Sequence, residues 1–166
     1  RLPERSLGEF IASLLGQRRI ISKRYKDIRF VAEQQWILNI ANIISQRIEQ
    51  NKHKLISCEA KIFFDSGRTH TVTSIEAFNS FNDISKEKTV GISLRFSYLV
   101  YFPSATSPEK QDINISIFSD SRFIYEAKPE QNPDDSSPLV EYSIEFTNLT
   151  FGEDLSRHLN SYIESM

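Results

Sequence analysis

Residues 90–102 read VGISLRFSYLVYF, with a large apolar side chain at every second position. Successive side chains of a β-strand point to opposite faces, so this period of two predicts a long strand with one buried face. The other face, which includes Arg95, is mostly polar, as in an antiparallel sheet that leaves one face in water. The positions predicted to be buried are Val90, Ile92, Leu94, Phe96, Tyr98, Val100 and Phe102.

Further elements flank this strand on both sides. Alternating apolar positions predict a hairpin over 56–74, and capping-box spacings at Ser6 and Thr150 each predict the start of a helix. Apolar residues at three- and four-residue steps predict a long helix over 27–51 and a short one over 75–81. The remaining strands are predicted at 113–117, 122–127 and 140–146.

Together these elements predict an α+β fold. It is a mainly antiparallel, twisted sheet of four to six strands, with two N-terminal helices and one C-terminal helix packed against it. The length of 166 residues suits a single domain over 1–166, with a helical N-terminal segment at 6–51 and the sheet and C-terminal helix at 54–166. Because the last helical pattern is still running at Met166, we expect this domain to be excised from a longer protein.

Composition excludes several classes of site. The one cysteine, Cys58, lies in an apolar strand pattern, which argues against a disulfide framework and favours a reducing, cytoplasmic location. Segments of the parent chain outside this sequence could place the domain at a membrane surface. The three histidines are scattered, and the five glycines form no phosphate-binding loop. We therefore expect no bound metal and no cofactor.

Two acid-x-lysine triplets raise the possibility of a metal-dependent hydrolase or nuclease. Glu126-Ala127-Lys128 follows Asp120, which would supply the additional acid of such a site, and Glu59-Ala60-Lys61 has the same form. The composition predicts about one such triplet by chance, so ion pairing on a strand face explains them adequately. The enzymatic alternative, with Asp120, Glu126 and Lys128, is therefore less favoured.

Charge is distributed unevenly along the chain. Residues 1–30 hold eight basic and three acidic side chains, whereas residues 120–166 hold three basic and ten acidic ones. The two ends should therefore attract each other or bind partners of opposite sign. The sharpest local signal is a basic run at residues 18–26, with charges at Arg18, Arg19, Lys23, Arg24 and Lys26.

The basic run has three interpretations. Its cations suit an anionic membrane surface or, less well, the phosphates of nucleic acid, since Tyr25 is its one aromatic residue. Alternatively, it is a solvated connection anchored by Ile20, Ile21 and Tyr25. In each case the five cations should be exposed to solvent.

An apolar patch is the second candidate site. Four large apolar side chains fall on the nominally polar face of three strands, where they would form a docking surface unless the first helix covers them. They are Phe63, Leu99, Tyr101 and Phe118. The sequence thus favours a non-catalytic sensing or protein-interaction domain of a larger intracellular protein. Its partner would be another protein or another domain of the parent chain.

Overall fold

The computed structural model describes residues 7–8, 18–26, 34–81, 87–119 and 138–165. Six strands and three helices lie within these ranges. In chain order they are β1 (Arg19–Lys26), α1 (Gln34–Ile48), β2 (Lys52–Phe64), β3 (Thr69–Val72), α2 (Ile75–Asn79), β4 (Thr89–Tyr101), β5 (Glu109–Phe118), β6 (Leu139–Phe146) and α3 (Leu149–Glu164). The strands form one antiparallel sheet in the order β1-β6-β5-β4-β2-β3, so the predicted α+β class is confirmed.

Strand β4 is central, as the period of two predicts. It pairs with β2 on one side and β5 on the other. Its six alternating apolar positions, together with Phe102 just beyond it, are buried, while Arg95 is exposed. The backbone groups of a strand with neighbours on both sides are hydrogen-bonded within the sheet. The buried and the exposed face of β4 therefore differ only in their side chains.

Helices α1 and α3 pack on one face of the sheet and bury their apolar stripes against it. Ile40, Ile44 and Ile48 of α1 are fully buried, as are Leu155 and Leu159 of α3. The two helices also contact each other. Their contact includes the rings of Trp36 and Tyr162, with centroids 5.9 Å apart, and a hydrogen bond of 2.9 Å donated by Asn39 Nδ2 to Tyr162 Oη.

The N-terminal part differs from the prediction. Leu7 and Gly8 are helical, in keeping with a helix starting near Ser6, but the rest of that predicted helix lies outside the described residues. Within them, α1 is the one complete helix before β2, and residues 19–26 form a strand rather than part of a helical segment. The prediction of two packed N-terminal helices over 6–51 is therefore not matched.

Strand β1 forms because its alternate side chains find partners in the core. It pairs antiparallel with β6 over its whole length. Ile21 and Tyr25 pack against the core, and Tyr25 Oη donates a hydrogen bond of 2.6 Å to Asn160 Oδ1 in α3. The charged residues between them occupy an edge strand, where lysine and arginine are common because they discourage edge-to-edge association.

Candidate interaction surface

The sheet has a second face, opposite α1 and α3, which we call the open face. Residues directly opposite each other in an antiparallel pair share a face, so the strand register defines its members. Among the described residues, no helix packs on it. Polar side chains occupy its centre, with Ser93, Arg95 and Ser97 of β4 beside Ser116, Asn114 and Asp112 of β5, respectively.

Asp112 is the most heavily bonded group of the open face. It accepts hydrogen bonds from Ser97 Oγ and Arg18, and the Lys110 ammonium lies 3.5 Å from its carboxylate. Burial alone would raise the pKa of the Asp112 carboxyl, but the bonds from Ser97 and Arg18 and the nearby positive charges outweigh burial and hold its pKa below the ordinary value. Asp112 is thus a fixed negative charge at neutral pH.

A groove of about 500 Å³ crosses the centre of the open face. Arg95 lies in it, and its Nε donates a hydrogen bond of 3.2 Å to Asn114 Oδ1. Glu59 is directly opposite Arg95 in the register, although no ion pair joins them in the described part of the chain. The groove therefore presents hydroxyl, amide, carboxylate and guanidinium groups that are already in place. Its lining includes Ser57, Glu59, Arg95, Ser97, Asp112 and Asn114.

The basic run lies in and just before β1, and acids of the same domain pair with three of its cations. Arg18 Nη1 is 3.0 Å from Glu145, Arg24 Nη2 is 3.0 Å from Glu141, and Lys23 Nζ is 3.1 Å from Glu164. Arg19, Lys23, Arg24 and Lys26 are exposed as predicted. Arg18 is not exposed as predicted. Its guanidinium pairs with Asp112 and Glu145, and only 22% of its side chain is accessible to solvent.

The predicted apolar patch divides into two separate groups. Phe63 and Phe118 pack together at one end of the open face, with ring centroids 5.1 Å apart, and Phe118 is buried. They flank Gly91, whereas Leu99 and Tyr101 lie eight and ten positions further along β4. At about 3.4 Å per residue the two groups are more than about 25 Å apart. The four residues therefore do not form one docking surface.

Of the two acid-x-lysine triplets, the structure describes only the one at residues 59–61. Glu59 and Lys61 lie on the open face of β2, facing Arg95 and Ser93 of β4. Asp120, Glu126 and Lys128 lie outside the described residues, as does the strand predicted at 122–127. In the described ranges, no group of three or more His, Cys, Asp or Glu side chains is placed to hold a metal ion.

Two buried groups with ionisable protons are held in their neutral forms. Burial raises the pKa of the Cys58 thiol to about 11, and burial also raises the pKa of the Tyr98 hydroxyl to about 12. The thiolate is the reactive form of cysteine, so Cys58 is a poor nucleophile at neutral pH.

The groove residues were not singled out from the sequence. Asp112, Asn114 and Ser116 alternate with buried isoleucines, which is a readable strand signal. What the sequence does not contain is the register that sets Ser97 opposite Asp112 and Arg95 opposite Asn114. That pairing depends on contacts between strands, so alternation alone identifies a polar face but no site.

Comparison with known proteins identifies no relative: the chain matches no protein-family model, no curated protein and no solved structure. In the part of the chain that the structure describes, no helix is both long and apolar enough to cross a membrane.

Proposed function

We propose that this chain is a non-catalytic interaction domain of a larger intracellular protein, and that it binds a protein partner across the open face of its sheet. The observation that carries the proposal is the arrangement of the two faces. Helices α1 and α3 cover one face, while the other holds a groove of about 500 Å³ lined by polar groups in fixed positions. Binding sites are typically concave and contain a few precisely placed polar groups that provide specificity.

The protonation states of the buried groups also support a binding role. Cys58 and Tyr98 stay protonated at neutral pH, and Asp112 stays ionised because its partners hold it so. A general acid or base works best with a pKa near the operating pH, and these three groups are shifted away from it. Such groups stabilise an architecture better than they transfer protons.

Site-specific photo-cross-linking in the native cells tests the proposal. A photoreactive amino acid replaces Ser93, in the centre of the open face, and Gln46, on the exposed side of α1, serves as the matched control. We expect one discrete cross-linked protein from position 93 and none from position 46. The purified partner should then bind the wild-type domain and lose affinity for Arg95→Glu. Equal labelling at both positions, or unchanged binding to that variant, would contradict the proposal.

A further inference from the structure

Charge on the open face is not balanced uniformly. By strand register and by Arg18's contacts, the described part of this face holds eight basic and four acidic side chains. The basic ones are Arg18, Arg24, Lys26, Lys52, Lys54, Lys61, Arg95 and Lys110, and the acidic ones are Glu59, Asp112, Glu141 and Glu145.

The half of the face formed by β5 and β6 is neutralised internally. Its acids, Asp112, Glu141 and Glu145, all pair with cations. Arg18 contacts Asp112 and Glu145, Arg24 contacts Glu141 at 3.0 Å, and the Lys110 ammonium lies 3.5 Å from Asp112. Little positive charge is therefore left over for a ligand on this half.

The half formed by β2 and β4 keeps its positive charge. None of its four cations forms an ion pair with a described residue, and the contacts of Lys52, Lys61 and Arg95 are with neutral groups. Lys52 Nζ lies 5.3 Å from the ring centroid of Tyr101, and Lys61 Nζ lies 5.3 Å from that of Phe63. The one acid here is Glu59. We call Lys52, Lys54, Lys61 and Arg95 the β2–β4 basic surface.

We propose that the β2–β4 basic surface binds an extended acidic segment of a partner protein. This inference rests on the proposed function and gives the partner's chemistry. Lys52 and Lys54 are two positions apart on one strand, a repeat of about 6.8 Å, and alternate side chains of an extended segment repeat at the same distance. Two acidic residues at alternate positions of the partner would therefore face Lys52 and Lys54.

The same surface carries exposed apolar side chains that suit a protein ligand. Ile56 is 48% exposed and lines the groove, and Tyr101 is 40% exposed beside the half-buried Leu99. Ile56 points outward because the register shifts between Leu55 and Ser57, which makes it the extra residue of a β-bulge. Apolar residues of the partner, between its acids, would contact these three side chains.

Nucleic acid and lipid fit the surface less well. Single-stranded nucleic acid binds to successive exposed aromatic rings, but Tyr101 is the one exposed aromatic of this surface and Phe63 packs against Phe118. A flat bilayer cannot enter the groove beside Arg95, whose lining of hydroxyl and amide groups suits peptide side chains.

Fluorescence anisotropy with a labelled peptide that alternates glutamate and leucine tests the inference. The whole 166-residue chain should bind this peptide at low salt, and added salt should weaken binding. The double variant Lys54→Glu/Lys61→Glu should lower the affinity about tenfold, because it removes two cations and sets two carboxylates against the acidic peptide. Lys54→Gln/Lys61→Gln should have a smaller effect of the same sign, and circular dichroism confirms that each variant folds.

The control is Arg19→Glu, a charge reversal at an exposed position of the basic run that should leave peptide affinity unchanged. The inference is overturned if Arg19→Glu weakens binding as much as the double variant Lys54→Glu/Lys61→Glu does. It is also overturned if oligothymidylate or phosphatidylserine vesicles bind more tightly than the peptide, or if the peptide does not bind. If the peptide fails while the cross-link from position 93 persists, the proposed function stands; loss of that cross-link contradicts the proposed function itself.

Discussion

At the scale of the residue, Asp112 shows how a charge is held between strands. It sits on β5, takes a hydrogen bond from Ser97 on β4, and contacts Arg18, which precedes β1. These bonds cross three different segments of the chain. Replacing Asp112 removes the acceptor for both Ser97 and Arg18. The loss in the free energy of unfolding should therefore exceed that of an ordinary surface substitution.

We therefore predict that Asp112→Asn lowers the free energy of unfolding at neutral pH by about 1 to 3 kcal/mol. The folded-state pKa of Asp112 lies below the ordinary 3.8, so its stabilisation is complete above about pH 5, roughly one unit above the unfolded-state pKa. Below that pH the unfolded state takes up the proton first, and the stabilisation is lost as pH falls through the folded-state pKa. Urea unfolding of both proteins from pH 7 to pH 3 measures this. A difference that stays constant, or grows toward pH 3, would contradict the assignment.

Gly91 makes a second residue-scale case, because its missing side chain leaves space for an aromatic ring. A Cβ built on Gly91 would clash with the ring of Phe118, which is buried and packs against Phe63. The ring therefore covers the glycine from the neighbouring strand, a cross-strand pairing in which the aromatic side chain shields the backbone that glycine leaves open.

We predict that Gly91→Ala destabilises the domain by about 1 to 3 kcal/mol through overpacking. Phe118→Leu should cost stability alone, yet the double variant should be more stable than the sum of the two changes predicts, because the smaller side chain makes room for the methyl group. A double-mutant cycle by urea unfolding gives the coupling. Strict additivity would mean that the Phe118 ring does not cover Gly91.

At the scale of the element, the start of α3 shows how local signals compete. The capping-box spacing of Thr150 and Glu153 predicts a start at Thr150, but the structure begins the helix at Leu149, with Asn148 as the N-cap. Asn148 Oδ1 accepts a hydrogen bond of 3.0 Å from Phe151 N. The buried Gln111 side chain bonds Thr147 through both its oxygen and its nitrogen, which holds the turn before the cap.

Asn148→Ala should therefore lower the free energy of unfolding by about 1 kcal/mol, the usual cost of losing an N-cap bond. Thr150→Ala is the matched control, and as an exposed substitution inside the first turn it should change stability by no more than about 0.5 kcal/mol. Thermal unfolding monitored by circular dichroism distinguishes the two. A larger loss of stability in Thr150→Ala than in Asn148→Ala would show that Thr150 caps the helix, as the capping-box spacing predicts.

At the scale of the whole molecule, the charge asymmetry of the chain becomes a set of contacts between its ends. Lys23 in β1 pairs with Glu164 at the end of α3, and Arg24 pairs with Glu141 in β6. The expected attraction between a basic beginning and an acidic end thus occurs within the domain. Exposed ion pairs of this kind contribute little each, about 0.2 to 1 kcal/mol, and salt screens them.

Hydrogen exchange should reflect this arrangement. We expect the amides of β4, between two long strands, to exchange slowest, and those of β1, which pairs only with β6 among the described strands, to exchange earlier. Raising the salt concentration should speed exchange in β1 more than in β4 because, among the described residues, side chains of β1 form ion pairs and those of β4 form none. Equal protection of the two strands, with no selective effect of salt, would contradict this order.

The sequence by itself determined the central strand, its buried residues and the α+β class, because a period of two or of 3.6 residues is a local property that needs no knowledge of neighbours. Strand β1 was missed for the opposite reason. Its Ile21 and Tyr25 alternate with charged and polar residues, and the strand exists only because β6 offers a pairing edge and α3 offers Asn160 to Tyr25.

Only the tertiary structure decided where the candidate site lies. Register separated Phe63 and Phe118 from Leu99 and Tyr101, and a single bulge turned Ile56 outward from a position whose alternation predicts burial. Acids distant in sequence pair with several cations of the basic run, whereas Lys54, which no motif distinguishes, forms no ion pair with the residues that the structure describes. The sequence shows which side chains carry charge. Whether a charge meets one of opposite sign depends on which strands lie side by side, and this is decided only when the sheet forms.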